Sequence, residues 1–286
     1  MTSNSTDAAA EVSRGERFGF GENWSRFLRD INESRIEEAE RSLLALVGSD
    51  ISGRSFIDVG SGSGLFSLAA KRLGARRLHS FDFDPQSVAC ARELKRRYFS
   101  NDESWTIEMG SVLDDEYLAT LNKWDIVYSW GVLHHTGDMW KALDRAASLV
   151  TEDGTLVVAI YNDQGSVSQH WTTVKRAYNR LPRRLRFLVL WPAFILLWTP
   201  STVRDLFRGK PLKTWRNYGQ KGGRGMSPWR DVVDWVGGYP FEVAKPERVF
   251  DFFRERGFSL GRLTTCGGGL GCNQFMFRKI VDAESR

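Results

Sequence analysis

Apolar and polar positions along the chain switch repeatedly between two periods. Ile36, Ala39, Leu43, Leu44 and Val47 recur at helical spacing, and from Ser55 onward short apolar runs alternate with further helical stretches. The pattern predicts strands at 55–59, 77–83, 105–108, 124–129 and 155–161, with helices over 65–73, 86–98 and 139–150 between them. After a less regular stretch to about Tyr239, Pro246 opens a helix that Gly257 closes, and strands follow at 258–265 and 274–280 around the glycine-rich CGGGLGCN. Such alternation predicts an α/β fold: a doubly wound, mostly parallel, seven-stranded sheet with right-handed crossovers. Ligands of such sheets gather at the carboxyl ends of the strands.

The same pass divides the chain into five parts: a disordered tail (1–16), an N-terminal helical cap (17–50), a core (51–163), an insert on the acceptor side (164–244), and a C-terminal helix and hairpin that complete the sheet (245–286). Phe18, Phe20, Trp24 and Phe27 open the cap, either packing it onto the core or closing over a ligand. Hydrophobic content of 42% and charged content of 26% exclude wholesale disorder and fibrous classes. Three cysteines, none in a CxxC pair, and no apolar leader near the N-terminus predict a reducing cytoplasm.

The densest chemical signal is FIDVGSGSGLF, Phe56 to Phe66. An apolar strand runs through Asp58 into Gly60, Ser61, Gly62 and Gly64, a turn whose backbone can approach a ligand closely. A dinucleotide GxGxxG would need a glycine where Leu65 stands. Twenty residues beyond Gly62, Asp82 ends the second strand and is placed to accept hydrogen bonds from both hydroxyls of a ribose. Asp84, before Pro85, suits a helix N-cap.

The DxGxGxG stretch resembles motif I of the class I S-adenosylmethionine-dependent methyltransferases, and WDIVYSWGVLHHTGD (Trp124 to Asp138) is similar to the FDxVxxxxVLHH stretch of many small-molecule members, including the ubiquinone-biosynthesis type. The resemblance spans about Phe56 to Tyr161. It implies a Rossmann-like sheet, S-adenosylmethionine as cofactor, and a cofactor site of Asp58, Gly60, Ser61, Gly62, Gly64, Asp82, Phe83, Ser111, Val112 and Trp130. Phe83 would wall the adenine. In the loop after the third strand Ser111 replaces the family's usual acid, leaving Asp114 or a backbone carbonyl as partner for the adenine amine.

Methyl transfer from a sulfonium is an in-line displacement, which chiefly requires alignment and exclusion of water. An oxygen nucleophile also needs a base. His134 and His135 are candidates, as are Tyr161, Asn162 and Asp163 at the end of the fifth strand; the alternative for the histidines is a structural role beside the cofactor. No HExxH, CxxC or GxSxG motif appears, so no metal or serine nucleophile is expected, and no NPPY-type strand end points to nucleic-acid bases.

Between Lys175 and Arg230 fourteen Lys and Arg stand against one acid, Asp205, although the whole chain carries only +5. Within this stretch Phe187 to Trp198 form a twelve-residue apolar run broken by Pro192, too short for the roughly 20 residues of a membrane span. It reads as a buried lid helix, or as an interfacial segment with arginines at headgroup level. Arg224, Trp229, Arg230, Asp231, Trp235 and Tyr239 are candidate acceptor contacts. These features predict O-methylation of a small or medium-sized acceptor, a hydrophobic or phosphate- or glycan-bearing metabolite, at a membrane surface if residues 175–230 meet lipid. The alternatives are RNA methylation through the basic insert and a cofactor-binding protein without catalysis.

Overall fold

A computed structural model describes residues 10–21, 24, 28, 31–48, 50–218 and 228–280. Seven strands form one sheet: β1 (Ser55–Val59), β2 (Arg77–Asp82), β3 (Trp105–Met109), β4 (Trp124–Trp130), β5 (Val150–Tyr161), β6 (Phe258–Thr264) and β7 (Cys272–Lys279). Their order is β3-β2-β1-β4-β5-β7-β6. The pairs among β1 to β5 are parallel, while β7 runs antiparallel to both β5 and β6.

Successive strand residues point to opposite faces, and both faces are buried. Ile57, Val127, Leu156 and Phe277 join a core beneath α5 (Met139–Ser148) and α10 (Pro246–Arg254). Their neighbours Phe56, Ile126, Val157 and Met276 join a second core beneath α1 (Glu33–Val47), α2 (Leu65–Arg72) and α3 (Pro85–Tyr98). Each fully buried side chain of this size contributes about 1.5–3 kcal/mol.

Local chemistry sets the helix ends. Asn32 caps α1 by accepting from Arg35 N, and Gly48, at φ +66°, closes it. Ile36, Ala39, Leu43 and Val47 are buried as the spacing predicts, whereas Leu44 lies at the solvent edge. Asp84 caps α3 through Gln86 N at 2.8 Å. A five-residue helix, α4 (Asp115–Ala119), capped by Asp114, is too short to show a period in the sequence. Residues 10–16, which composition assigns to a tail, include a helical turn over 10–13, and Gly15 packs against the Asn179 backbone; residues 1–9 and Phe27 lie outside the described residues.

The insert departs most from expectation. Its irregular reading gives way to helices α6 (Ser166–Arg180), α7 (Phe187–Phe207), α8 (Lys213–Arg216) and α9 (Pro228–Gly237). The apolar run ends at Trp198 but the helix does not: α7 is 21 residues long and carries Pro192 and Pro200 inside it. Nor is it a buried lid, since only Leu190, Ala193 and Asp205 are buried along it. α6, α7 and α9 share a small core with Phe18, built on Trp171, Tyr178, Leu190, Val232, Val236 and Phe241. The insert leaves and rejoins the sheet at one place, where Asn162 bridges Ala244 and Ala244 N donates to Tyr161 O at 3.0 Å.

Candidate active site

At the carboxyl end of β1, Gly60, Gly62 and Gly64 all adopt positive φ (+77°, +54° and +79°). The turn is also crowded. A Cβ on Gly60 would lie 2.3 Å from Val132 Cγ1, and one on Gly64 would lie 2.8 Å from Ala91 Cα. Gly60 N and Ser61 N donate to Phe81 O at 2.9 and 3.1 Å, tying the turn to β2.

Asp82 stands beside it. Its carboxylate accepts from Gly62 N and Asp84 N, each at 2.9 Å. Burial pushes its pKa up to about 6. Asp58, fully buried, accepts from Ser67 Oγ at 2.5 Å, and burial raises its pKa to about 7, with the Asp82 charge adding to the rise. Ser61 Oγ is buried and has no hydrogen-bond partner among the described residues.

These groups line one end of a cavity of about 1280 Å³. Phe83, Ser111, Val112 and Trp130 line the same cavity, as do Arg17, Phe20 and Trp24 from the N-terminal segment. The Arg17 guanidinium sits 4.8 Å above the Phe83 ring and donates to His135 O at 2.9 Å. Trp24 lies over Gly62. Of the aromatic residues that open the cap, Phe18 packs in the insert core while Trp24 and Phe20 line the cavity.

At the other end the walls are His135, Tyr161, Trp198, Tyr218, Asp231 and Trp235. His135 Nδ1 lies 2.6 Å from Pro240 O. A carbonyl only accepts, so Nδ1 carries the proton and Nε2 is the free acceptor nitrogen. Burial first, then Lys175 and Arg17, lower its pKa to about 3, so the ring is neutral over the working range. Tyr161 packs between it and Trp235, with ring centroids 5.4 and 5.2 Å away. Beneath them Lys175, wholly buried, donates to Trp235 O and lies 4.5 Å from the Phe241 ring. Burial lowers its pKa to about 7.

A family model described as a methyltransferase domain matches residues 31–213. The chain belongs to the methyltransferase-domain family. In solved structures the methyltransferase fold recurs in magnesium protoporphyrin IX methyltransferase from Synechocystis PCC 6803, at 14% identity and TM-score 0.54, covering 94% of this chain and 99% of that one. It recurs again in an S-adenosylmethionine-dependent methyltransferase from Mesorhizobium loti, at 14% identity and TM-score 0.51, covering 84% and 98%. Among curated relatives, the ribosomal protein L11 methyltransferase of Macrococcus caseolyticus is 31% identical over 109 residues, 37% of this chain and 32% of that protein. The chain thus spans about a third of that relative's length.

The residues of this methyltransferase fit S-adenosylmethionine. The turn leaves no room for side chains, Asp82 is a half-buried acceptor on the cavity wall that two more donors would satisfy, and Ser61 Oγ awaits a partner. Asp114 is otherwise engaged: its carboxylate caps α4 by accepting from Tyr117 N at 3.0 Å and does not line the cavity, whereas Gly110, Ser111, Val112 and Leu113 do.

Several candidate residues stand elsewhere. His134 is fully buried behind Tyr161, its Nδ1 accepting from Tyr161 N at 3.4 Å, and does not reach the cavity. Asn162 pins the glycine-rich loop through Gly269 O and Asn273 Nδ2, and Asp163 accepts from Gly165 N at the start of α6. Trp229 packs on Trp191 and Phe194, Arg230 lies off the cavity, and the Tyr239 hydroxyl accepts from Arg176 Nε at 3.2 Å. Arg224 lies outside the described residues. Asp231 and Trp235, on the same helix, do face the cavity, where helical phase separates them from Trp229 and Arg230. Arg17 was illegible in the sequence: a single arginine in an irregular segment carries no periodic signal.

Proposed function

We propose that this methyltransferase moves a methyl group from S-adenosylmethionine to an oxygen of a small or medium-sized acceptor lodged between the sheet and the insert. One observation carries the reading: the cavity is continuous from the glycine turn to the His135–Tyr161–Trp235 wall, and at about 1280 Å³ it exceeds the 300–1,000 Å³ typical of a single ligand. It has room for a donor and an acceptor together.

When bound, the cofactor supplies an electrophilic methyl group on a sulfonium. The chain supplies the rest. Asp82 and the glycine turn fix the ribose end, and Trp24 and Arg17 cover it against water. At the other end Tyr161, Trp198 and Trp235 offer aromatic faces to an apolar body. His135 Nε2, unprotonated, accepts a hydrogen bond from the nucleophilic hydroxyl and orients its lone pair toward the methyl. Alignment of this kind is where most of the acceleration of a displacement arises. As the methyl–oxygen bond forms and the carbon–sulfur bond breaks, that proton passes to His135 Nε2, while Asp231, on the same cavity wall, accepts from Tyr218 OH at 2.6 Å.

The test is turnover against a panel of hydroxylated acceptors, read by formation of the demethylated cofactor. His135→Ala lowers kcat at least about tenfold with cofactor affinity unchanged; equal activity in wild type and variant sinks the assignment of His135.

A further inference from the structure

Helix α7 turns most of its apolar surface outward. Phe187, Leu188, Trp191, Ile195, Leu196 and Phe207 are each more than half exposed, Phe207 reaching 88%. Soluble proteins seldom leave contiguous apolar ground larger than a few hundred Å² uncovered unless something docks there. At 1.5 Å per residue the helix is about 31 Å long, and its two ends are basic. Exposed Arg183 and Arg184 precede it, and exposed Arg208, Lys210 and Lys213 follow it. The only acid between residues 175 and 230, Asp205, does not offset them at the surface: it is buried and accepts from Thr214 N at 2.6 Å and Thr214 Oγ1 at 2.9 Å.

By length and composition Arg183–Phe207 suffices to cross a membrane. Its packing argues for another placement. Leu190 and Ala193 are buried in the insert core with Val232 and Val236, and both ends of α7 run back into that same subdomain. A spanning helix would strip this face of its partners, whereas a helix lying in the membrane plane keeps them and buries only the outer face. In that plane the exposed apolar face meets the hydrocarbon boundary while the cations flanking both ends meet anionic headgroups. A nucleic acid would instead be met by cations interleaved with aromatic platforms, and the middle of α7 has no cation at all.

The inner face of the same helix lines the active-site cavity. Leu197, Trp198 and Ser201 project into it from α7, and Arg183 and Arg186 line it just before the helix begins. One element therefore has an apolar exterior and a reactive interior.

We propose that α7 docks on an anionic lipid bilayer, and that the methyl acceptor is an amphiphile carried in that bilayer, its polar head entering the cavity beside Arg186 and Trp198. The acceptor half rests on the methyltransferase reading above; the docking half stands on the helix alone.

Docking is tested by co-sedimenting the full chain with vesicles of phosphatidylcholine alone or with added phosphatidylglycerol, at low and high salt. The protein pellets with the anionic vesicles and is released as salt rises. The combined Leu188→Glu, Ile195→Glu and Leu196→Glu variant loses roughly tenfold or more in vesicle affinity, while its binding of S-adenosylmethionine by calorimetry matches wild type, since none of the three lines the cavity. Folded wild-type protein that stays in the supernatant overturns the docking, as does undiminished pelleting of the triple variant. Binding to single-stranded RNA without binding to vesicles overturns it in favour of a nucleic acid.

The acceptor class is read by labelled-methyl transfer into a cell lipid extract. Label appears in the chloroform-soluble fraction. Label confined to the aqueous fraction, or in neither while calorimetry shows cofactor bound, overturns the amphiphile. Absence of cofactor binding in the wild type strikes the site reading itself and leaves the vesicle result standing.

Discussion

The Gly62 N–H donates to Asp82 Oδ2 at 2.9 Å, so the glycine turn and the acid that ends the next strand are one unit, closed across twenty residues of chain. Asp82 enters the site already oriented. Its pKa of about 6 reflects burial that the two backbone donors only partly offset.

A raised carboxyl pKa means that Asp82 favours the cofactor-free fold when protonated, a contribution present below pH 4 and lost as pH rises through about 6. Hydroxyl donors from a ribose favour the ionised form, so affinity for S-adenosylmethionine rises as pH climbs from 5 to 7. Asp82→Asn flattens that rise and weakens binding about 10- to 100-fold. Calorimetry across the range, wild type against variant, checks both.

Gly64→Ala is the sharpest test of the turn. Its Cβ would meet the Ala91 backbone at 2.8 Å in a left-handed conformation. Strain and overpacking together cost roughly 2–4 kcal/mol, seen as a fall in the denaturant midpoint. The cofactor restores little of it, because the turn that would hold the cofactor is the part displaced.

The two histidines separate cleanly. His135→Ala lowers kcat and leaves the fold intact, while His134→Ala opens a hole behind Tyr161 and lowers stability by about 1–3 kcal/mol. At saturating S-adenosylmethionine, where the Asp82-dependent change in affinity no longer shows, kcat has no limb near 6.5 from either histidine, because both rings titrate well below it. A limb there would reassign the base.

Lys175 carries a stability signature at alkaline pH. With a folded pKa of about 7 against 10.5 in the unfolded chain, the unfolded state holds more protons between those values, and stability rises with pH across that window. Lys175→Met removes the rise, which equilibrium unfolding at pH 7 and pH 9 detects.

Much of the cofactor half was legible because local rules and packing agree there. The strand–glycine–helix sequence of Phe56 to Arg72, the Asp84-Pro85 helix start and the strand at Trp124 each fold as their spacing predicts. The seven strands fall within a few residues of expectation, and only β5 begins notably earlier, at Val150 rather than Thr155. The insert was less legible. Pro192 reads as a break yet sits inside α7, as does Pro200; each forfeits one backbone hydrogen bond but spares the helix. Asn162 and Asp163 look reactive in sequence because a strand end is where site residues gather, but their side chains are committed to the Gly269 and Gly165 backbones.

The bridge between Asn162 and Ala244 has a consequence for how such a protein diversifies. Everything between those residues leaves and rejoins the sheet at one pair of neighbours, so a foreign cassette spliced at the same two points leaves the register of β5 and β7 in place. Beyond the bridge the native cassette is tied to the core by Pro240 O, which accepts from His135 Nδ1, and by Glu242, which accepts from Gly137 N and Met139 N, and it is strapped by residues 15–18, where Gly15 packs on Asn179 and Phe18 on Gly237. A chimera that keeps Arg17, Pro240 and Glu242 while exchanging the rest of the cassette and the residue that fills the Phe18 socket inherits a new acceptor and retains the donor machinery; one that exchanges the whole cassette alone leaves Phe18 and His135 without their partners.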